Sequence, residues 1–244
     1  MNSYQKGLAA FTLLAVSAAL AEAMILSYRK PGAYDWGAYW ASLGVAVGRR
    51  VTDFLPLWIA MPGGQWLYEH RLIDADLQSW WGLMLLFFGL EFLYYWFHRL
   101  SHTVRWFWAN HAVHHSPNQM NLSTAYRLGA LEGIINTPSA HRVHHAANLE
   151  YLDANYGGVL MIFDRLFGTY VPGRHELPCR FGWVQPLHSN NIFVIVFCQW
   201  VALLRDVRAA RSLRDAIGYL WHPPGWVPQG EGMTTVEMRA RAAQ

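Results

Sequence analysis

Two long apolar runs in the first hundred residues predict membrane-spanning helices. Residues 7–26 contain three polar side chains and residues 79–97 contain two, while apolar residues fill the rest of both segments. A helix rises 1.5 Å per residue and needs about 20 residues to cross the hydrocarbon core of a bilayer. Both runs satisfy that length, so we expect each of them to cross a membrane.

A third apolar segment, residues 51–68, is a weaker candidate for a span. Asp53 and the sequence Pro62-Gly63-Gly64 predict a break that would make this segment re-entrant or interfacial. The first run has an alternative as well, because Lys6, the apolar stretch and Ala21-Glu22-Ala23 also fit a secretory signal with a cleavage site. The pattern predicts an all-α integral membrane protein with about three N-terminal spans.

The C-terminal part predicts a shorter helix with a basic end. Residues 191–204 are apolar but too short to span a bilayer, which favours a packed or interfacial helix. Arginines then recur every third residue from Arg205 to Arg214, and within one helix they would face anionic headgroups or solvent. Pro223-Pro224-Gly225 ends this helix, and we expect the tail beyond it to be poorly ordered.

Composition favours a bilayer over water as the surroundings of this chain. Hydrophobic residues make up 53% of it and charged residues only 14%, which is unusual for a soluble domain, although a soluble protein with a large core is the alternative. The formal net charge is +3, and no dense basic patch suggests a nucleic-acid partner. Cys179 and Cys198 form neither a ligand motif nor a disulfide framework.

The distribution of charge predicts an orientation in the membrane. If three segments cross, the basic loop of residues 27–50 lies on the same side as Arg99 and Arg105, while the acidic loop of residues 69–78 lies on the other. Basic loops stay in the cytoplasm. We expect the N-terminus outside the cell and the histidine-rich region inside. The chain is expected to comprise an N-terminal membrane region (residues 1–78), a histidine-box domain (residues 79–190) and a C-terminal interfacial helix with its tail (residues 191–244).

Eight of the twelve histidines fall into three boxes between residues 98 and 145. Residues three and four apart share one face of a helix, so each box would direct its imidazoles toward one point. Imidazole binds Fe, Zn, Cu and Ni, and eight imidazoles exceed the needs of one ion. The boxes therefore predict two metals, the alternative being His-rich surface helices. They are His98-x-x-x-His102, His111-x-x-His114-His115 and His141-x-x-His144-His145.

The other histidines and other metal chemistries fit less well. His70, His175, His188 and His222 lie outside the boxes and are expected to be ordinary loop residues. The chain has no His-Glu-x-x-His motif of zinc proteases and no repeated Glu-x-x-His pairs of ferritin-like sites. Haem with two histidine ligands would leave the tandem His-His pairs unexplained.

The three boxes and the sequences that flank them resemble those of the fatty acid hydroxylase and sterol desaturase superfamily. An acidic and aromatic run, residues 91–99, leads into the first box, and residues 136–139 (Asn-Thr-Pro-Ser) precede the third. Residues 151–158 and 164–170 follow the third box much as in the bacterial sterol desaturase-like branch. The similarity extends over about residues 75–190, and the combined pattern is highly specific.

The resemblance implies a chemistry and a ligand set. Family members hold two iron ions at the cytoplasmic face of the membrane, here the bacterial inner membrane, and use O2 to hydroxylate or desaturate a lipid C–H bond. An unidentified partner would donate the electrons. Asp153, Asn155 and Asp164 are candidates for hydrogen bonds to ligand rings, with loop capping as the alternative. The ligand set carried over is His98, His102, His111, His114, His115, His141, His144 and His145, with no further catalytic or cofactor-binding residue.

The chain departs from the family between the second and third boxes. Only 25 residues separate His115 from His141, whereas relatives have a hydrophobic hairpin and a further histidine there, and residues 128–132 read as a junction of two distant stretches. We expect this form to be less active than a relative with the hairpin. Two alternatives stay open: a non-catalytic membrane lipid-binding protein that has lost part of the site, and a zinc-dependent hydrolase.

Overall fold

A computed structural model describes residues 3–52, 54–121 and 138–244 of the chain. Within these ranges the protein is all-α as predicted, without a β-strand and with two isolated β-bridges. The helices are α1 (Ser3–Arg29), α2 (Trp36–Thr52), α3 (Phe54–Glu69), α4 (Trp80–Thr103), α5 (Arg105–His115), α6 (Pro138–His144), α7 (Ile162–Leu166), α8 (Ile192–Arg208), α9 (Leu213–Trp221) and α10 (Thr235–Ala242).

Two of the described helices are long and apolar enough to cross a membrane. They are the Ala10–Arg29 part of α1, with 20 residues, and all of α4, with 24. Large apolar side chains of α4 point outward, and Leu90, Leu93 and Phe97 are each more than half exposed. Such a surface is stable against lipid tails but not against water.

The third predicted span corresponds to α3, which differs from the prediction in one respect. The helix continues through Pro62-Gly63-Gly64, so the predicted break there is wrong. Proline removes one backbone hydrogen bond to the carbonyl four residues earlier, and a helix can tolerate that loss. With 16 residues α3 is about 24 Å long, shorter than a hydrocarbon core of about 30 Å.

Residues 27–50, predicted as a loop, contain most of helix α2. Ala19 and Ala23 of α1 are fully buried against Tyr34 and Tyr39, since small side chains on one helix leave room for aromatic rings on its neighbour. The Trp36 indole also donates a hydrogen bond to Ser27 Oγ at 3.0 Å. These contacts fold the second helix back onto the first.

Helix α5 is the centre of the helical packing around the histidines. It follows α4 after the single residue Val104, which is extended, and it packs against α4, α8 and α9. Arg105, its first residue, donates to the Asp206 carboxylate on α8 at 2.5 Å. Helix α5, which carries the second box, is therefore held between the long apolar helix α4 and the C-terminal pair, α8 and α9.

The C-terminal region is more structured than the sequence predicts. The arginine-rich stretch is not one helix, because α8 ends at Arg208 and Ser212 caps a new helix, α9. Helix α9 ends before Pro223 as expected, but the tail beyond it forms α10, so the prediction of a poorly ordered tail is wrong. Thr234 and Glu237 form a reciprocal capping box that satisfies the free backbone N–H groups at its start.

Most of the shortened connection between the second and third boxes, residues 122–137 with the junction at residues 128–132, lies outside the described residues.

Candidate metal centre

The three histidine boxes meet in the structure. His98 and His102 lie one turn apart on α4, the second box lies on the last turn of α5, and the third lies on α6 and the residue after it. Helical periodicity turns each box inward, and six of the eight imidazoles are buried, with at most 7% of each residue exposed.

The eight imidazoles form two groups, and in each group the candidate ligand atoms lie within 4.8 Å of one another. His70, His175, His188 and His222 belong to neither group. The structure thus brings together every residue of the predicted ligand set. Metal binding by these residues stays a prediction. The larger group is His98, His102, His111, His115 and His144, and the smaller is His114, His141 and His145.

The ring nitrogens approach one another at distances typical of ligands that share an ion. In the larger group, His111 Nε2 lies 3.1 Å from His98 Nε2 and 3.2 Å from His115 Nε2, which lies 3.1 Å from His144 Nε2. In the smaller group, the Nε2 atoms of His141 and His145 are 3.0 Å apart. Two nitrogens each about 2.1 Å from one ion are about 3.0 Å apart at a right angle.

Hydrogen bonds alone do not explain these contacts. The Nδ1 atoms of His98 and His144 face the carbonyl oxygens of Tyr156 and Ala154, both at 2.9 Å, so in the neutral rings the single proton is on Nδ1. The chain of three Nε2 contacts from His98 to His144 then has at most two protons, from His111 and His115. At least one of the three contacts therefore has no hydrogen bond and joins either two lone pairs or two N–H groups. A cation bound by the Nε2 lone pairs of these rings would remove this conflict.

Protonation of the rings would remove this conflict, but burial opposes it. Burial lowers the pKa values of His111, His115 and His144 well below the ordinary 6.5, and neighbouring imidazoles add repulsion. The pKa of His141 falls to about 4 for the same reason of burial. His111, His115, His141 and His144 are therefore neutral at physiological pH, the form that binds metal.

His102 supplies a second sign that the site fits a metal ion. Its Nε2 atom is buried and has no hydrogen-bond partner among the residues that the structure describes. A buried polar atom without a partner is unfavourable unless another group binds it. Its other nitrogen, Nδ1, lies 3.4 Å from the Asp153 carboxylate. An all-imidazole donor set of this kind suits iron, zinc, copper or nickel.

A loop after the third box orients two of the rings. Asp153 and Asn155 adopt left-handed backbone conformations, with φ of 55° and 59°, which turn the carbonyls of Ala154 and Tyr156 toward the histidines. Asn155 is fully buried, and its amide donates to Val171 O and accepts from Val171 N, both at 2.8 Å. Of the three residues proposed as partners of the rings, Asp153 alone contacts an imidazole; Asn155 shapes the loop.

Two buried carboxylates fix the rest of this loop. Asp164 accepts the N–H groups of Tyr156 at 2.7 Å and Gly157 at 2.6 Å. Burial raises the pKa of Asp164, although these hydrogen bonds, which favour the ionised carboxylate, act to lower it. Glu91 accepts the N–H of Leu160 at 2.6 Å from within α4. These two roles could not be predicted from the sequence, because both carboxylates bond to backbone N–H groups. Leu160, which donates to Glu91, lies 69 residues further along the chain.

A cavity of about 490 Å³ adjoins the histidines. His102, His115, His144 and His145 form one side of it. The remaining walls mix apolar and polar side chains from α5, α8, residues 152–153, residues 182–187 and the C-terminal segment of residues 223–238. They include Trp108, Leu152, Trp183, Gln185, Gln199, Met233 and Met238. Space for a reactant therefore lies directly beside both groups, and the sequence had not indicated these walls.

Comparisons with known proteins agree with this geometry. The model of the family described as fatty acid hydroxylase matches residues 83–137, which include the first two boxes. The chain is 32% identical to the alkylglycerol monooxygenases of Xenopus tropicalis, over 74% of this chain, and Danio rerio, over 77%. It is 28% identical to that of Homo sapiens, over 84%. No solved structure matches.

The chain spans about half the length of these curated relatives, between 48% and 56%. The alignment with the human protein runs over 251 residues, more than the 244 of this chain, so the relative has residues within the matched stretch that this chain lacks. By its histidine boxes, their convergence and these matches, the chain belongs to the fatty acid hydroxylase family.

Proposed function

We propose that the protein is a membrane-bound, non-haem di-iron oxygenase that hydroxylates or desaturates a C–H bond of a lipid with O2. The observation that carries this proposal is the pair of imidazole groups, buried beside a cavity and joined by nitrogen contacts that hydrogen bonding cannot satisfy. The family of the chain and the name of its relatives support the reaction class.

Each histidine group would hold one iron. The larger group offers five imidazoles, enough to fill most positions of one ion, and the smaller group of His114, His141 and His145 offers three. Fewer protein ligands leave positions for O2 or substrate oxygen. When bound, iron supplies the activation of O2, for which the described side chains have no equivalent.

The reaction balances with an external electron donor. Hydroxylation places one oxygen atom of O2 in the C–H bond and releases the other as water, using two electrons and two protons. Desaturation removes two hydrogen atoms and releases both oxygen atoms as water with the same two electrons and protons. We propose a lipid substrate and a separate reductase or electron carrier as partners.

The residues of the chain position reactants and keep water away. The carbonyls of Ala154 and Tyr156 hold the rings of His144 and His98 in one tautomer, which keeps their Nε2 lone pairs directed at the site. Trp108 and Trp183 place large apolar rings in the cavity wall. Such walls exclude bulk water and leave room for an alkyl segment of the substrate.

We further propose a location for the protein. With α3 crossing the bilayer as well as α1 and α4, the charge distribution favours the histidine region on the cytoplasmic side of a bacterial inner membrane, where the apolar surface of α4 contacts lipid. The bacterial sterol desaturase-like branch remains the assignment that the flanking motifs favour. The regions of residues 1–78, 79–190 and 191–244 would serve as membrane anchor, histidine-box domain and interfacial C-terminal part.

The proposal is tested by oxygen labelling. Iron-loaded protein in membranes, supplied with a reductase, is incubated with an alkylglycerol or a fatty acyl lipid under ¹⁸O2, and products are measured by mass spectrometry. A hydroxylase incorporates one labelled atom; a desaturase yields an alkene and labelled water. His144→Ala should abolish product, whereas His188→Ala, outside both groups, should not. Protein that holds two irons but oxidises no lipid would contradict the proposed reaction, whereas folded protein that binds no iron would favour the non-catalytic alternative.

A further inference from the structure

The C-terminal helix α10 is attached to the loop that follows the third histidine box. The Arg239 guanidinium donates to the carbonyl oxygen of Leu149 at 3.2 Å and to that of Leu152 at 2.8 Å. These contacts join residues 90 and 87 positions apart in the sequence. One side chain of α10 therefore holds both ends of a single loop turn.

The residue after this turn, Asp153, reaches the candidate metal site. Its carboxylate lies 3.4 Å from Nδ1 of His102, which belongs to the group of five imidazoles. Thr235, the first residue of α10, lines the same cavity as Asp153. Helix α10 thus reaches Asp153 through the backbone that Arg239 fixes.

His102 depends on this contact more than the neighbouring histidines do. The rings of His98 and His144 are each oriented by a backbone carbonyl, whereas the partner of His102 Nδ1 is the Asp153 side chain. Its Nε2 has no hydrogen-bond partner in the part of the chain that the structure describes. Asp153 itself is in the left-handed region, with φ of 55°, a conformation that persists where surrounding contacts impose it.

We propose that α10 is part of the metal centre, with Arg239 as the positioning residue that holds Asp153 against His102. The carboxylate keeps the ring proton on Nδ1 and directs Nε2 toward the ion of the five-histidine group. This inference rests on the metal binding proposed above. It predicts that a change in α10 affects the iron of the larger group and leaves that of the smaller group unaltered.

The test measures iron release from the full-length protein in detergent. Protein loaded anaerobically with Fe(II) is mixed with a ferrous chelator, and release is followed for the wild type, Arg239→Gln, Asp153→Ala and the double variant. Arg241→Gln is the matched control, because Arg241 lies on the same helix but contacts Gly232 and Met233 instead of the loop. Arg239→Lys, which can still donate to one carbonyl, should recover part of the wild-type behaviour.

We expect Arg239→Gln to release one of two iron equivalents about tenfold faster, since loss of a residue that orients a ligand weakens metal binding by roughly 10- to 100-fold. The second equivalent and the Arg241→Gln variant should behave as the wild type. In the Asp153→Ala background, Arg239→Gln should add little, because both changes act through the same contact.

Three outcomes would overturn the inference: unchanged release, equal acceleration of both irons, or additive effects in the double variant. Equal acceleration would mean that α10 stabilises only the fold. A wild-type protein that binds no iron would instead contradict the proposed function, so the two failures are distinguishable.

Discussion

The tautomers of individual histidines decide whether this site can bind metal. A carbonyl oxygen accepts but cannot donate, so Ala154 and Tyr156 fix the ring protons of His144 and His98 on Nδ1. Both carbonyls belong to one loop. The backbone N–H groups of this loop donate to the Asp164 carboxylate, and the Asn155 side chain fixes its shape. The loop conformation therefore determines how the rings of His98 and His144 are oriented, although Asp164 and Asn155 bond to the loop and not to an imidazole.

Replacing Asp164 by Asn should loosen this loop. The residue is fully buried and accepts from two backbone N–H groups and the Thr169 hydroxyl. An amide has one acceptor oxygen, so at least one buried donor loses its partner, at a cost of about 1–3 kcal/mol. We expect a lower free energy of unfolding and a lower metal content. Asp74→Asn, whose side chain is 79% exposed, should change stability by no more than about 0.5 kcal/mol. An equal loss of stability in the two variants would contradict the role of Asp164 in holding the loop.

At the scale of elements, the sequence predicts a helix well where one face has a repeating chemistry. The apolar runs of α1 and α4 and the three histidine boxes were predictable, because spacings of three and four residues fix a helix face. Helix α2 was missed, since its Gly and Ala residues and mixed pattern did not distinguish it from a loop. The loop of residues 153–158 could not be predicted either, because its backbone groups bond to side chains such as that of His98, which is 58 residues away.

The arginines at the junction of α8 and α9 should bind anionic lipids. They are exposed and lie beside exposed apolar side chains, among them Val201, Leu204 and Leu213, a combination typical of a membrane interface. Each arginine near an anionic surface contributes about 1 kcal/mol. Phosphatidylglycerol should therefore raise the thermal midpoint of the detergent-solubilised wild type more than phosphatidylcholine does. The variant with Gln at positions 205, 208, 211 and 214 should lose this difference.

A matched variant with Lys at the same four positions keeps the charge and should keep the response to phosphatidylglycerol. If the Gln variant responds to the anionic lipid as strongly as the wild type, the arginines face solvent, which is the alternative that the sequence left open.

At the scale of the whole molecule, the histidine site lies at one end of α4, and α5, α8 and the C-terminal segment of residues 223–238 line the cavity beside it. Burying so many imidazoles makes the metal-free protein sensitive to acid. Their folded-state pKa values are lowered, to about 4 for His141, while the unfolded chain titrates near 6.5. Below pH 6.5 the unfolded state therefore binds protons that the folded state does not.

The stability of the metal-free protein should consequently be complete above pH 6.5 and fall as the pH is lowered through 6.5 toward about 4. Thermal unfolding between pH 7.5 and 5 checks this, because most carboxylates titrate below that range. His141→Gln should show a weaker decline. A thermal midpoint that does not change between pH 7 and pH 5 would contradict the burial of these rings as neutral groups.

The metal content of the native protein tests the central claim most directly. Protein expressed under iron-replete, anaerobic conditions and purified in detergent is analysed for all first-row metals, with the chain concentration measured by amino-acid analysis. Two imidazole groups, of five and three members, predict two iron ions per chain. A single stoichiometric zinc ion, or no bound metal in a folded protein, would contradict a di-iron oxygenase.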